Sequence, residues 1–74
     1  MPFLKPTEEQ LQNRYQYYAP KGDQAKRYEA IRASILMCAQ HIVALTPVSP
    51  EQTRALNALD EAMFLANAAI ARNE

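Results

Sequence analysis

The sequence contains a single cysteine, a single glycine and no tryptophan. One cysteine, Cys38, excludes a disulfide within the chain and is typical of a protein from a reducing compartment. A structural zinc site needs four ligands, and the only soft ligands available are Cys38 and His41, three residues apart. The sequence therefore predicts no metal site and no other cofactor.

Long apolar runs and net charge are also missing. No run approaches the roughly 20 apolar residues that span a bilayer, and residues 1–6 lack the apolar core of a signal peptide. The formal net charge is zero, which is unfavourable for a polymeric nucleic acid, whose binding depends on neutralised phosphates. We therefore expect a cytoplasmic protein whose partners include neither a membrane nor a polymeric nucleic acid.

The usual catalytic patterns are missing as well. Gly22 alone cannot form a glycine-rich phosphate loop, and the adjacent acids Asp60 and Glu61 point to different sides of a helix. Cys38 and His41 are one turn apart, a spacing at which a Cys–His nucleophile pair is conceivable, but we expect both to pack in the core or at an interface. The sequence predicts no catalytic residue and a protein that is not an enzyme.

Three helices are predicted, because three capping signals each precede a segment with helical spacing of apolar residues. The signals are Thr7 with Gln10, Asp23, and Ser49 with Pro50 and Gln52. The expected helices cover about residues 8–15, 24–45 and 50–71. The chain is thus expected to be a single all-α domain, 1–74.

Each long helix carries one apolar stripe. In the second helix the stripe is Tyr28, Ile31, Ile35, Cys38, Ile42 and Leu45, and in the third it is Leu56, Leu59, Met63, Ala66 and Ile70. Matched lengths and a short turn predict an antiparallel helical hairpin. Phe64 and Leu65 widen the second stripe beyond what one partner helix covers, so we expect the hairpin to be oligomeric. A chain below roughly 80 residues without disulfide or metal also needs such a partner.

Three of the four tyrosines, Tyr15, Tyr17 and Tyr18, lie at the junction of the short helix and a loop. Exposed aromatic rings can stack on nucleobases, and arginine can meet phosphates with a bidentate fork. The nearby cations are Lys21, Lys26, Arg27 and Arg32. This cluster is compatible with a nucleotide pocket. The alternative is that the tyrosines hold the short helix against the hairpin and that the cations belong to ordinary solvent-exposed helix faces.

Several segments in order resemble the helical-hairpin domain of the phage anti-CBASS cyclic-nucleotide sponges, a domain that also occurs in a group of anti-Thoeris sponges. The segments are RYQYYAP at 14–20, QAKRYEAIR at 24–32, TP at 46–47, SPE at 49–51 and ALDEAMFLANAAIAR at 58–72. The resemblance implies a protein that binds cyclic di- and trinucleotides of host CBASS-type defence, such as 3′,3′-cGAMP and cyclic tri-adenylate. It also implies that the protein withholds them without cleavage, in the host cytoplasm, as a homohexamer.

The resemblance further implies where a cyclic dinucleotide binds, between pairs of protomers. Tyr17 matches the tyrosine that stacks on a base, and Tyr15 and Tyr18 are neighbours that can exchange this role. Arg32 matches the cation that meets the phosphate, with Lys26 as the alternative.

A cyclic trinucleotide is implied to bind at threefold junctions. Ser34 matches the hydroxyl of that site, and Arg72 matches its arginine near the end of the third helix. Leu65 departs from the tryptophan that the family often has at a packing position.

The other class of function that the sequence allows is a structural or protein-interaction hairpin without a nucleotide ligand. Hydrolysis of cyclic nucleotides ranks behind it.

Overall fold

The computed structural model describes residues 5–74. Residues 1–4, part of the stretch that is not expected to be a signal peptide, lie outside the described residues. The described range consists of three helices, without a strand: α1 Glu8–Tyr15, α2 Gln24–Leu45 and α3 Pro50–Asn73. The all-α fold class is therefore confirmed for this range.

The capping box predicted for α1 is confirmed. The backbone N–H of Gln10 donates to Thr7 Oγ1 at 3.1 Å, and the N–H of Thr7 donates to Gln10 Oε1 at 2.9 Å. Two donors that a helix start leaves unsatisfied are thus paired.

The cap predicted for α2 is different from the one observed. Asp23 occupies the N-cap position, but its side chain makes no capping hydrogen bond. The carboxylate instead pairs with Arg27 one turn later, with Oδ1 and Nε 3.2 Å apart. The side chain of Gln24 instead holds the turn before the helix, since its Oε1 accepts from the N–H of Lys21 at 3.1 Å. The preceding turn contains Gly22 at φ +58°, a conformation that glycine adopts without steric cost.

The cap of α3 is confirmed in part. Ser49 accepts from the N–H of Gln52 at 3.1 Å, and Pro50 opens the helix. The side chain of Gln52, predicted to complete a capping box, instead donates to the carbonyl of Thr46 at 3.2 Å, so it closes the turn between the helices. α3 ends at Asn73, beyond the predicted Ala71, because the Asn73 amide donates to the carbonyl of Ala69 at 2.9 Å and so satisfies an open acceptor of the last turn.

α2 and α3 pack against each other. All five stripe residues predicted for α3 are half-buried, and in α2 the half-buried positions include Ile35, Ala39 and Ile42. Cys38, which was predicted for the stripe, is exposed, and Ala39 is half-buried in its place. Counted from Ile35, Ala39 is four residues on and lies about 40° past a full turn, whereas Cys38 is three residues on and lies about 60° short of it, so Ala39 is nearer to the face of Ile35. His41 is exposed too, so core packing of Cys38 and His41 within one protomer is wrong.

Fully buried apolar side chains are missing from the described residues, where only Gln24 is buried, at 4% exposure. Large apolar side chains remain exposed by 54% at Val43 to 95% at Val48. Others in this group are Leu36, Met37, Leu45, Phe64 and Leu65. Two helices alone therefore leave much apolar surface in water, although burying it would stabilise the fold by about 25 cal/mol per Å². None of the described helices is long and apolar enough to cross a membrane.

A polar clamp joins the start of α2 to the end of α3. Both Nη atoms of Arg27 contact the carboxylate of Glu74, with Nη1 2.8 Å from Oε2. Gln24 Nε2 donates to the same carboxylate at 3.2 Å. The hydrogen bonds from Arg27, which have the larger effect, and from Gln24 lower the pKa of Glu74 from 4.5 to about 2. The carboxylate also raises the pKa of Arg27. The first turn of α2 thus meets the residue that follows α3.

Glu74→Gln should lower the thermal stability at neutral pH and have little effect in strong acid. A carboxylate with a lowered folded-state pKa stabilises the fold above its ordinary pKa of 4.5, and this contribution is lost as the pH falls through about 2. The pair is partly exposed, so we expect a Tm decrease on the order of a few degrees near pH 7. Circular-dichroism melting at several pH values measures it.

The matched control is Glu61→Gln, which removes an exposed carboxylate from the same helix far from Arg27. It should leave the pH dependence of Tm unchanged. A difference between Glu74→Gln and the unmodified protein that persists undiminished at the lowest pH would contradict the assignment.

Candidate functional site: a tyrosine–arginine cleft

A cleft of about 380 Å³ is formed by the chain after α1, the first half of α2 and the end of α3. Three tyrosines and three arginines line it, and we call it the tyrosine–arginine cleft. These residues are Tyr17, Tyr18, Tyr28, Arg14, Arg32 and Arg72. The remaining lining consists of neutral amides and alanines. Its described lining therefore contains cations without a carboxylate, which favours an anionic ligand.

The segment after α1 is held in place by two kinds of contact. The hydroxyl of Tyr18 donates to the backbone carbonyl of Asn13 at 3.0 Å and also contacts the Asn13 side chain. Tyr18 is thereby half-buried, whereas Tyr17 remains 81% exposed. One of these neighbouring rings is thus fixed against the protein while the other is open to a ligand or to a second protein chain.

Arg72 ties the end of α3 to the end of α1. Its Nη2 donates to the backbone carbonyl of Arg14 at 2.9 Å. A guanidinium has five N–H donors, and this bond uses one of them. Arg72 is exposed at the cleft, so it can hold the two helix ends together and still meet an anion.

The cleft brings together four of the seven residues predicted for the ligand sites, namely Tyr17, Tyr18, Arg32 and Arg72. The other three, Tyr15, Lys26 and Ser34, are exposed and lie outside its lining. Tyr15 instead has the guanidinium of Arg14 5.6 Å from its ring centre. Arg72, which the resemblance assigns to the trinucleotide site, lines the same cavity within one protomer as Tyr17 and Arg32.

Three lining residues were not predicted as site residues: Arg14, Tyr28 and Asn67. Tyr28 was assigned to the apolar stripe of α2, and Arg14 was noted only as part of a similar segment. The sequence does contain an indication that Asn67 belongs to a site: it is a neutral polar residue between Ala66 and Ala68, on the half-buried side of α3. A polar side chain at such a position is unusual unless it has a bonding partner.

A larger hollow of about 530 Å³ lies beside α1. Its lining is polar and includes Glu9 but no cation and no aromatic ring among the described residues. Volume alone would favour this hollow, whereas the residues that can bind a nucleotide favour the tyrosine–arginine cleft. The residue types of the lining are the better criterion for function, since a nucleotide site needs aromatic rings and cations that converge on one cavity.

The helices and the cleft define a small α-helical protein whose candidate site has the cations and aromatic rings that suit an anionic, aromatic ligand. Residues 7–71 match the family model described as Acb2/Tad1, hairpin domain, and the chain belongs to this family. It is the family of phage anti-defence sponges that the ordered segments resemble, a non-enzymatic family that binds cyclic nucleotides. No curated protein and no solved structure gives a match to the chain.

Proposed function

We propose that this protein binds cyclic di- and trinucleotide messengers of host CBASS-type defence, in the host cytoplasm, and sequesters them without cleavage. The observation that supports this most is the convergence of tyrosines and arginines in one cleft. A cyclic oligonucleotide presents base faces and phosphates at fixed distances. Tyrosine rings stack on the bases, a contact worth about 1–3 kcal/mol per base, and arginines pair with the phosphates.

Sequestration without cleavage agrees with the chemistry of the cleft. Proton transfer in phosphodiester cleavage calls for a general base such as a histidine or a carboxylate. The described lining of the cleft offers neither, and arginine does not serve as a general base. Binding is therefore the activity that these side chains support.

We further propose that α2 and α3 form an antiparallel hairpin that assembles with further copies, as a hexamer. The exposed apolar side chains of α2 and α3 support assembly, because a second copy can bury what one chain leaves in water. A cleft of about 380 Å³ lies at the lower end of the range of about 300–1,000 Å³ that ligand pockets span, so a partner copy would complete the enclosure of a larger ligand. Two clefts related by a twofold axis would supply one set of tyrosines and arginines to each half of a cyclic dinucleotide.

The trinucleotide assignment rests on a threefold arrangement in the same assembly. Three copies of Arg72 would face three phosphates, and three copies of Ser34 would offer hydroxyls. Ser34 is exposed in the protomer, so a neighbouring copy can approach it.

Titration calorimetry with 3′,3′-cGAMP and with cyclic tri-adenylate tests the function. We expect heat on binding for both, and recovery of the intact nucleotide after the protein is denatured. Absence of heat and of any thermal shift with either ligand would remove the proposal. Recovery of a linear product would contradict sequestration.

Tyr17→Ala should weaken binding of 3′,3′-cGAMP by tenfold or more, because one stacking contact is lost in every cleft. Tyr15→Ala is the matched control, since it removes an equally exposed ring from the same segment but outside the cleft. It should change the affinity by less than about twofold, below the effect of one stacked base. Equal losses in the two variants would contradict the assignment of Tyr17.

Arg72→Ala should weaken cyclic tri-adenylate more than 3′,3′-cGAMP, because three copies of Arg72 would meet the trinucleotide. Ser34→Ala should follow the same order of losses. The measurement is calorimetry with both ligands on each variant. Equal losses for both ligands would indicate one cleft that serves both and would refute two separate sites.

Light scattering at micromolar concentration should give several times the protomer mass of 8.4 kDa. Leu65→Glu should lower this mass, because a carboxylate would replace an exposed apolar side chain that we expect a second copy to cover. Glu61→Gln, a polar change on the same helix, serves as control. A protomer mass for the unmodified protein would contradict assembly.

The same exposed apolar faces favour one second candidate, a hairpin that binds another protein and no nucleotide. The two candidates differ in what the purified protein contains. Because the chain has no tryptophan, a co-purified nucleotide would visibly raise the absorbance near 260 nm. Absorbance of a tyrosine protein alone, together with a stable complex with a different chain, would favour the second candidate.

A further inference from the structure

Asn67 is a polar residue of the cleft whose side chain makes no hydrogen bond that would support the fold. It lies in α3 between two alanines and is half-buried, and its side chain lines the cleft. Its Oδ1 is buried without a hydrogen-bond partner. Buried side-chain oxygens are nearly always bonded in folded proteins, so this acceptor calls for an explanation.

An unsatisfied buried acceptor lowers the stability of the folded protein, because its bonds to water are lost and not replaced. A leucine at the same position would have a similar shape and no such cost. Two other amides have partners within the protomer: that of Asn73 donates to the carbonyl of Ala69, and that of Gln24 donates to Glu74. Asn67 thus has the combination expected of a binding residue, a cost in the free protein and a position at the cleft.

We propose that Asn67 determines base specificity, its Oδ1 accepting a hydrogen bond from the exocyclic amino group of a purine in the cleft. The inference rests on the proposed function, since it names the base that the same site prefers. Tyrosines line the cleft beside Asn67 and favour a base there rather than a phosphate. The torsion at the end of an asparagine side chain is soft, so the amide oxygen can turn toward the ligand.

Adenine illustrates why an amide suits this task. Its amino group is a donor and an adjacent ring nitrogen is an acceptor, and an asparagine amide offers the complementary pair. A base without the amino group leaves the Asn67 oxygen unsatisfied in the complex. Sites that depend on such a bond reject the analogue that lacks it far more strongly than apolar pockets reject a missing methylene.

The experiment compares 3′,3′-cyclic di-AMP with its analogue in which both adenines are replaced by unsubstituted purine. Both bases are identical in each ligand, so the base beside Asn67 is defined. We expect the unmodified protein to prefer cyclic di-AMP by about tenfold or more. We expect Asn67→Leu and Asn67→Ala to reduce this preference to less than about twofold, while the purine analogue still binds by stacking and phosphate contacts.

Asn67→Leu should also raise the Tm of the ligand-free protein, because the unsatisfied oxygen is removed. The matched control is Asn57→Leu, which makes the same change at an exposed position of α3 outside the cleft. It should leave the base preference unchanged. A residue that only maintained the fold would lose stability on substitution and keep its preference, which would refute the proposal.

The remaining outcomes separate this inference from the proposed function. If the unmodified protein binds both ligands equally, Asn67 does not read the amino group and the inference is wrong, while nucleotide binding stands. If the 2′-deoxy form of cyclic di-AMP loses affinity and the purine analogue does not, the donor is the ribose hydroxyl and the assignment to the base is overturned. If no cyclic nucleotide binds at all, the proposed function itself fails.

Discussion

The distribution of apolar side chains is the constraint on which the rest of this structure depends. α2 and α3 pack against each other, and large apolar side chains of both helices stay exposed in the single chain. The result is a protomer in which the contact between the long helices is half-buried, the lone fully buried residue of the described range is the polar Gln24, and large side chains such as Phe64 face water. Chains of this size bury a small share of their surface in any case. Partner copies would therefore supply stability that helix capping and one polar clamp cannot.

Helix positions could be predicted from the sequence because their determinants are local. Thr7, Ser49 and Pro50 act within one turn of their own position, so the spacing of side chains is sufficient. The two predicted caps that differ in the structure involve side chains with a second partner nearby. Gln52 donates to the carbonyl of Thr46 in the preceding turn, and Asp23 forms an ion pair with Arg27 one turn later.

The cleft could be predicted only in part, for a related reason. Tyr17 and Tyr18 are visible as a cluster along the chain, and Arg32 and Arg72 were found through the family resemblance. Their meeting in one cavity depends on how the ends of α1, α2 and α3 pack, which periodicity does not specify. Tyr28, which the sequence assigns to the apolar stripe of α2, lines the cleft as well, and so does Asn67, next to the stripe residue Ala66 of α3.

The bond between Arg72 and the carbonyl of Arg14 joins residues 58 positions apart. Contacts of this separation form late in folding, after a large loss of chain entropy. α1 emerges first during synthesis and α3 last, so the nascent chain has tyrosines and Arg14 but no closed cleft until the end of α3 is made. The cleft is therefore complete only in a chain whose third helix has been made, and a partly synthesised chain lacks both Arg72 and the bond by which this residue holds the end of α1.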